Sequence, residues 1–173
     1  SIISKIDTGV GSDNGLGSVA PVDVNGDKIT DYVYAGDLHG NMWRFDLRSS
    51  NYSDWSASRL FMACDGTTCT SENIQPITAR PEIKASPNGG LMVLFGTGSY
   101  FSIEDNTLAS IPRIEAVYGV RDDLTNKTTS LNLTRSSLVK QDILAEINPS
   151  MSNALTSAPA FLAPSFNTSF NCC

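Results

Sequence analysis

Residues 19–47 read VAPVDVNGDKITDYVYAGDLHGNMWRFDL, a run of short apolar stretches punctuated by Gly, Asp and Asn. That alternation is the pattern of strand, loop and hairpin. Tyr32 and Tyr34 fall on one face of a strand and Val33 and Ala35 on the other, and both sets are good strand formers. Gly36-Asp37-Leu38-His39-Gly40-Asn41 turns the chain, because Gly and Asn tolerate positive φ. The returning strand sets Trp43, Phe45 and Leu47 against Met42, Arg44 and Asp46. The reading is a β-hairpin with Trp43 and Phe45 in its core and His39, the single histidine, solvated in the turn.

Downstream the pattern repeats. From Pro81 the chain reads PEIKASPNGGLMVLFGTGSYF. Pro87-Asn88-Gly89-Gly90 forms the turn, and the unbroken apolar run Leu91–Phe95 implies a strand buried on both faces. Gly96-Thr97-Gly98 lacks the Lys of a P-loop and reads as a backbone bend. A third strand, IEAVYGVR from Ile114 to Arg121, runs into Asp122-Asp123, which reads as a solvated turn. The stretch 134–147, TRSSLVKQDILAEI, alone collects helix formers, and Ser136 or Ser137 could cap a short helix there. Residues 148–173 lose periodicity and read as a Ser/Asn/Pro-rich tail or linker, leaving 1–147 as the β segment.

The fold class is therefore all-β. With 40% hydrophobic and 17% charged residues, 13 Gly and 8 Pro, the 173-residue chain suits a loop-rich β protein better than a helical bundle. Aromatic and Gly-Asp punctuation once per hairpin favours β-propeller blades over a sandwich. A blade takes roughly 40–45 residues and a ring at least about four blades, so the expectation is a partial or truncated, quinoprotein-like set of blades.

Charge and cysteines narrow the function. A formal net charge of -6 with no cluster of Lys or Arg argues against nucleic acid and against an anionic membrane surface. No run approaches the roughly 18 apolar residues of a membrane span. SIISKIDTG at the start lacks the basic and apolar regions of a signal peptide, but the cysteines support export. Cys64 and Cys69 bracket an Asp-Gly-Thr-Thr turn that a disulfide could staple in an oxidising compartment. The adjacent Cys172 and Cys173 are poor joint metal ligands. No catalytic constellation stands out, and the expectation is a binding protein without enzyme activity.

One segment carries chemistry. Asp23, Asn25, Asp27 and Asp31 spell D-x-N-x-D-x-x-x-D, with oxygen ligands at alternate positions and a closing carboxylate four residues later. Calcium takes six to eight oxygens, and three carboxylates, one amide oxygen and the Ile29 carbonyl nearly fill that shell. Gly26 permits the bend, Val24 and Lys28 should point away, and the Ile29 side chain is expected to pack on the core. An EF-hand would need Gly at its sixth position and Glu at its twelfth, where this chain has Lys28 and Tyr34. Magnesium demands stricter geometry. Without a cation, three carboxylates in nine residues would repel one another.

The block NGLGSVAPVDVNGDKITDYVYAGDLHGNMWRFDL at 14–47, with QPITARPEI at 75–83, LMVLFGTGSYF at 91–101 and a weaker VYGVRDD, resembles the C-terminal propeller of the PilY/PilC-type pilus biogenesis factors. The resemblance covers roughly residues 8–143. It implies a modified propeller exported to the cell surface or pilus tip, with calcium held by Asp23, Asn25, Asp27, Ile29 and Asp31. It also implies control of pilus extension and retraction, twitching motility, contact with minor pilins or other tip components, and adhesion to host-cell or abiotic surfaces. Other expectations compatible with the loop are a generic integrin-like calcium-binding propeller module and a quinoprotein dehydrogenase blade set.

Overall fold

The computed structural model describes residues 2–99, 114–125 and 132–141. Four strands, β1 (Leu16–Val22), β2 (Tyr32–Asp37), β3 (Asn41–Asp46) and β4 (Ser56–Met62), form an antiparallel meander. A second antiparallel sheet follows, made of β5 (Glu82–Ala85), β6 (Leu91–Gly96) and β7 (Val117–Asp122). The short β8 (Leu133–Thr134) then returns to the first sheet and pairs parallel with β4, giving the order β1-β2-β3-β4-β8. Among the described residues the two sheets do not close into a ring.

The sheets pack face to face. Tyr32, Tyr34, Met42, Leu60 and Phe61 of the first meet Leu91, Val93, Phe95, Tyr118 and Val120 of the second, with Ile77 of the connecting segment between them. The rings of Phe61, Phe95 and Tyr118 touch one another at centroid distances of 4.9, 5.6 and 5.8 Å, within the range where aromatic pairs attract. Trp43 and Phe45 are buried as expected, but on the opposite face, in a smaller cluster with Ala35 against Ile6, Val10 and Leu47. The main core thus takes the tyrosine face of the hairpin, and with it Met42 and the charged Arg44.

The connector 74–78 ties the sheets through its backbone. Gln75 N–H donates to Ala63 O at 3.1 Å and Ile77 N–H to Asp37 O at 2.9 Å, while Gly98 N–H reaches Pro76 O at 2.7 Å. This close crossing requires a bare backbone at Gly36. A Cβ there would overlap the Ile77 side chain and lie 2.5 Å from its carbonyl oxygen.

Three expectations need correction. Leu91–Phe95 is not buried on both faces: Leu91, Val93 and Phe95 are buried while Met92 and Leu94 are half-buried, because only one face of the three-stranded sheet meets the first sheet. Asp122 is not a solvated turn residue but fully buried at the end of β7, for a reason given below. At 134–147 the described part forms no α-helix. Leu133 and Thr134 enter the ladder beside Phe61 and Met62, and only a single 3-10 turn, Arg135–Ser137, follows. Ser137 Oγ takes the Thr134 N–H at 3.3 Å, as in a capping box that opens this one turn. Positions 142–147, the tail 148–173 and Cys172 and Cys173 lie outside the described residues. No helix among the described residues is long and apolar enough to cross a membrane.

Candidate metal centre

Between β1 and β2 the chain leaves the sheet as an exposed loop from Asp23 to Ile29 and re-enters it at Asp31. Two left-handed residues make the reversal, Gly26 (φ 81°) and Lys28 (φ 71°). The second is unusual for a side chain with Cβ, and the Asp23 carboxylate holds it: Asp23 Oδ2 accepts the Lys28 N–H at 2.8 Å. Asp23 Oδ1 accepts from Gly26 N–H at 2.7 Å and Asn25 N–H at 3.2 Å. The Lys28 and Gly26 amides so placed hold the Asp23 carboxyl below the usual carboxylate range, despite its exposure.

The remaining oxygens follow the same plan. Asn25 Oδ1 accepts from Asp27 N–H, and Asp27 Oδ1 from Ile29 N–H, both at 2.8 Å. Asn25 Nδ2 donates to Asp27 Oδ2 at 3.1 Å. Asp31 is only 6% exposed, its N–H bonded to Val22 O and its carbonyl to Leu47 N–H, and its Oδ2 accepts from Val24 N–H at 2.8 Å. Each of these oxygens has a further lone pair, and all are the hard donors that calcium takes. The residues fit such an ion by donor type and by spacing. Asp23, Asp27 and Asp31 share one loop, but among the described residues no three Asp, Glu, His or Cys side chains are drawn into a single ligand cluster. Ile29 departs from expectation, since its side chain is 67% exposed: the loop stands clear of the sheet and offers it no core.

Two buried carboxylates escaped the sequence reading. Asp37, 1% exposed, is the hub of the hairpin turn. Its Oδ1 accepts from His39 N–H (2.9 Å) and Asn41 N–H (2.8 Å), and its Oδ2 from Trp43 Nε1 (2.7 Å) and Asn14 Nδ2 (2.8 Å). The Gly-Asp-x-x-Gly-x-x-Trp spacing was the available signal. His39, half-buried in the turn, reaches this hub through its backbone N–H. Asp122 is the second: its carboxylate accepts from Arg44 Nη1 at 2.9 and 3.2 Å and from the Tyr34 hydroxyl at 2.7 Å, joining β7 to β2 and β3 across the core. Burial, then the neighbouring Asp122 charge, pushes the Tyr34 phenol far above its ordinary value. Nothing local signals a partner 78 residues away.

Cys64 and Cys69 are joined by a disulfide, their Cα atoms 5.4 Å apart. The bridged loop offers Asp65 to Arg135 (2.8 Å), which fastens the 3-10 turn after β8.

Two antiparallel sheets packed face to face, with an oxygen-rich loop between the edge strand β1 and β2, define an all-β assembly. The match to the PilY1 beta-propeller domain family over residues 1–156 makes the identity specific: the chain belongs to that family. It is similar to the type IV pilus biogenesis factor PilY1 of Pseudomonas aeruginosa, 34% identical over 164 residues that cover 78% of this chain and 14% of that protein. A PilY1 homolog of Xylella fastidiosa is 34% identical over 118 residues, covering 63% of this chain and 8% of that one. The crystal structure of the P. aeruginosa PilY1 C-terminal domain aligns with a TM-score of 0.60 at 34% identity, covering 76% of this chain and 31% of that chain. The chain spans 14% or less of the length of these curated relatives.

Proposed function

We propose that this chain is the calcium-binding part of an exported type IV pilus biogenesis factor, acting at the cell surface or pilus tip by binding and not by turnover. Asp23, Asn25, Asp27 and Asp31 would hold the ion through side-chain oxygens and Ile29 through its carbonyl. Calcium supplies the positive charge that lets these oxygens gather. The observation that carries the reading is the join between loop and sheet: the exposed ligands are set by backbone amides, while Asp31 is buried and bonded into β1 and the end of β3. Filling the loop would stiffen the β1–β2 connection and so the surface offered to minor pilins or other tip components. Control of extension and retraction, twitching, and adhesion to host-cell or abiotic surfaces would follow from that surface. The likeness to PilY1 proteins supports the pilus setting.

Calorimetric titration of metal-stripped protein beside Asp31→Ala tests the site. The parent is expected to bind calcium with a Kd between about micromolar and millimolar, the range of extracellular modules and weak sensors, and the variant not to saturate. Superimposable titrations would refute the assignment. Binding of purified minor pilins, measured with calcium and with chelator, tests the setting. Equal affinity in both would remove the proposed control.

A further inference from the structure

Asn25 and Gly26 form one of three Asn-Gly steps in this chain, with Asn14-Gly15 and Asn88-Gly89. Such steps can modify themselves, because glycine has no Cβ to hinder attack by its own nitrogen. The Gly26 nitrogen loses its proton and bonds to Asn25 Cγ, the Cγ–Nδ2 bond breaks, and the nitrogen leaves as ammonia. Water then opens the succinimide to aspartate or isoaspartate, with no oxidation or reduction. The reaction needs an N–H free to ionise and a carboxamide free to swing over it.

The closed loop withholds both. Gly26 N–H is donated to the Asp23 carboxylate at 2.7 Å, so its ionisation would set a negative nitrogen against a negative oxygen. The Asn25 carboxamide is tethered at both ends, its oxygen to Asp27 N–H and its nitrogen to Asp27 Oδ2. Yet every residue from Asp23 to Ile29 is exposed, so water and base reach the step as soon as the tethers part. Asn88-Gly89 also sits on an exposed turn, but Gly89 N–H meets only the neutral Ser86 carbonyl, at 3.0 Å. Asn14 is held through its Nδ2 to the buried Asp37, away from the loop.

We propose that Asn25-Gly26 is a latent deamidation site silenced by the closed Asp23–Asp31 loop, so that loss of the loop's cation commits Asn25 to irreversible conversion. The inference rests on the calcium reading above. Isoaspartate at 25 would route the backbone through an extra methylene and displace Asp27 and Asp31 from their register. The loop would then keep a permanent record of time spent without calcium.

The test incubates the full chain in mildly alkaline buffer with calcium or with chelator, and maps peptides by mass spectrometry with isoaspartate detection. With calcium, Asn25 is expected to convert more slowly than Asn88. Chelation should speed Asn25 by roughly tenfold or more, the factor that one lost charge-assisted hydrogen bond represents, and leave Asn88 and Asn14 unchanged. Asp23→Ala, which removes the acceptor of Gly26 N–H, should make Asn25 fast in both buffers. Equal Asn25 rates with and without calcium, in protein whose calorimetry registers binding, would overturn this proposal and leave the calcium site standing. Equal rates with no heat of binding would overturn both. An Asp23→Ala variant as slow as the parent would refute the lock.

Discussion

Replacing Asp122 by Asn keeps the shape at the centre of the inter-sheet core and removes its negative charge. The carboxylate accepts from Arg44, from the Tyr34 hydroxyl and from Leu124 N–H at 2.9 Å, with Arg44 2% and Asp122 0% exposed. Water cannot screen the guanidinium once its counter-charge is gone. Breaking a buried pair from one side costs about 3–5 kcal/mol, a large share of the roughly 5–15 kcal/mol of a typical domain. Tyr34→Phe removes one donor to the same carboxylate and is expected to cost about 1.5–3 kcal/mol. Urea unfolding followed by Trp43 and Trp55 fluorescence gives both values as midpoint shifts at constant slope. The double replacement Arg44→Met with Asp122→Leu should recover much of the loss, since apolar substitutes for a buried pair are often neutral or better. A loss below about 1 kcal/mol in Asp122→Asn, the range of an exposed pair, would mean that the two sheets do not seal this centre from water.

Other outcomes follow from the same contacts. Gly36→Ala drives a methyl into Ile77 and should destabilise by about 1–3 kcal/mol in thermal unfolding. Adding Ile77→Ala should rescue it only in part, because the Ile77 carbonyl remains in the way. Asp37→Ala strips the acceptor from Asn14, His39, Asn41 and Trp43, and should cost about 3 kcal/mol or more, with a red shift of Trp43 emission. Burial raises the Tyr32, Tyr34 and Tyr118 phenols, so the folded chain keeps protons that the unfolded chain releases. Their contribution is complete below about pH 10 and is lost as pH rises beyond it, and tyrosinate absorbance from these rings should rise at higher pH in the folded chain than in the unfolded one. Reduction of Cys64–Cys69 should lower stability by about 2 kcal/mol, as closure of so short a loop implies, and raise amide exchange in residues 132–137.

The hairpin of residues 32–46, the turn at Pro87–Gly90 and the metal-type spacing of Asp23 to Asp31 were legible before any coordinates. Each is decided within a few residues, by period-two alternation, by positive-φ residues at turns, or by oxygen ligands at alternate positions. Which face of the hairpin would meet the second sheet was not legible, because both faces carry aromatics and only packing against β5–β7 chooses the tyrosine side. The same choice decided Asp122 and Arg44. In sequence each is a polar residue at the end of a strand or between two apolar ones, and burial becomes tolerable only where the fold sets their opposite charges 2.9 Å apart. The stretch after Asn132 illustrates the reverse. In its described part, 132–141, Leu133 and Thr134 join β4 instead, since a ladder already in place offers hydrogen bonds that an unnucleated helix cannot. Local spacing thus determined the hairpins and the Asp23–Asp31 loop, while contacts between residues far apart in the chain decided what became core, because burial is a property of the neighbours the fold brings and not of the residue alone.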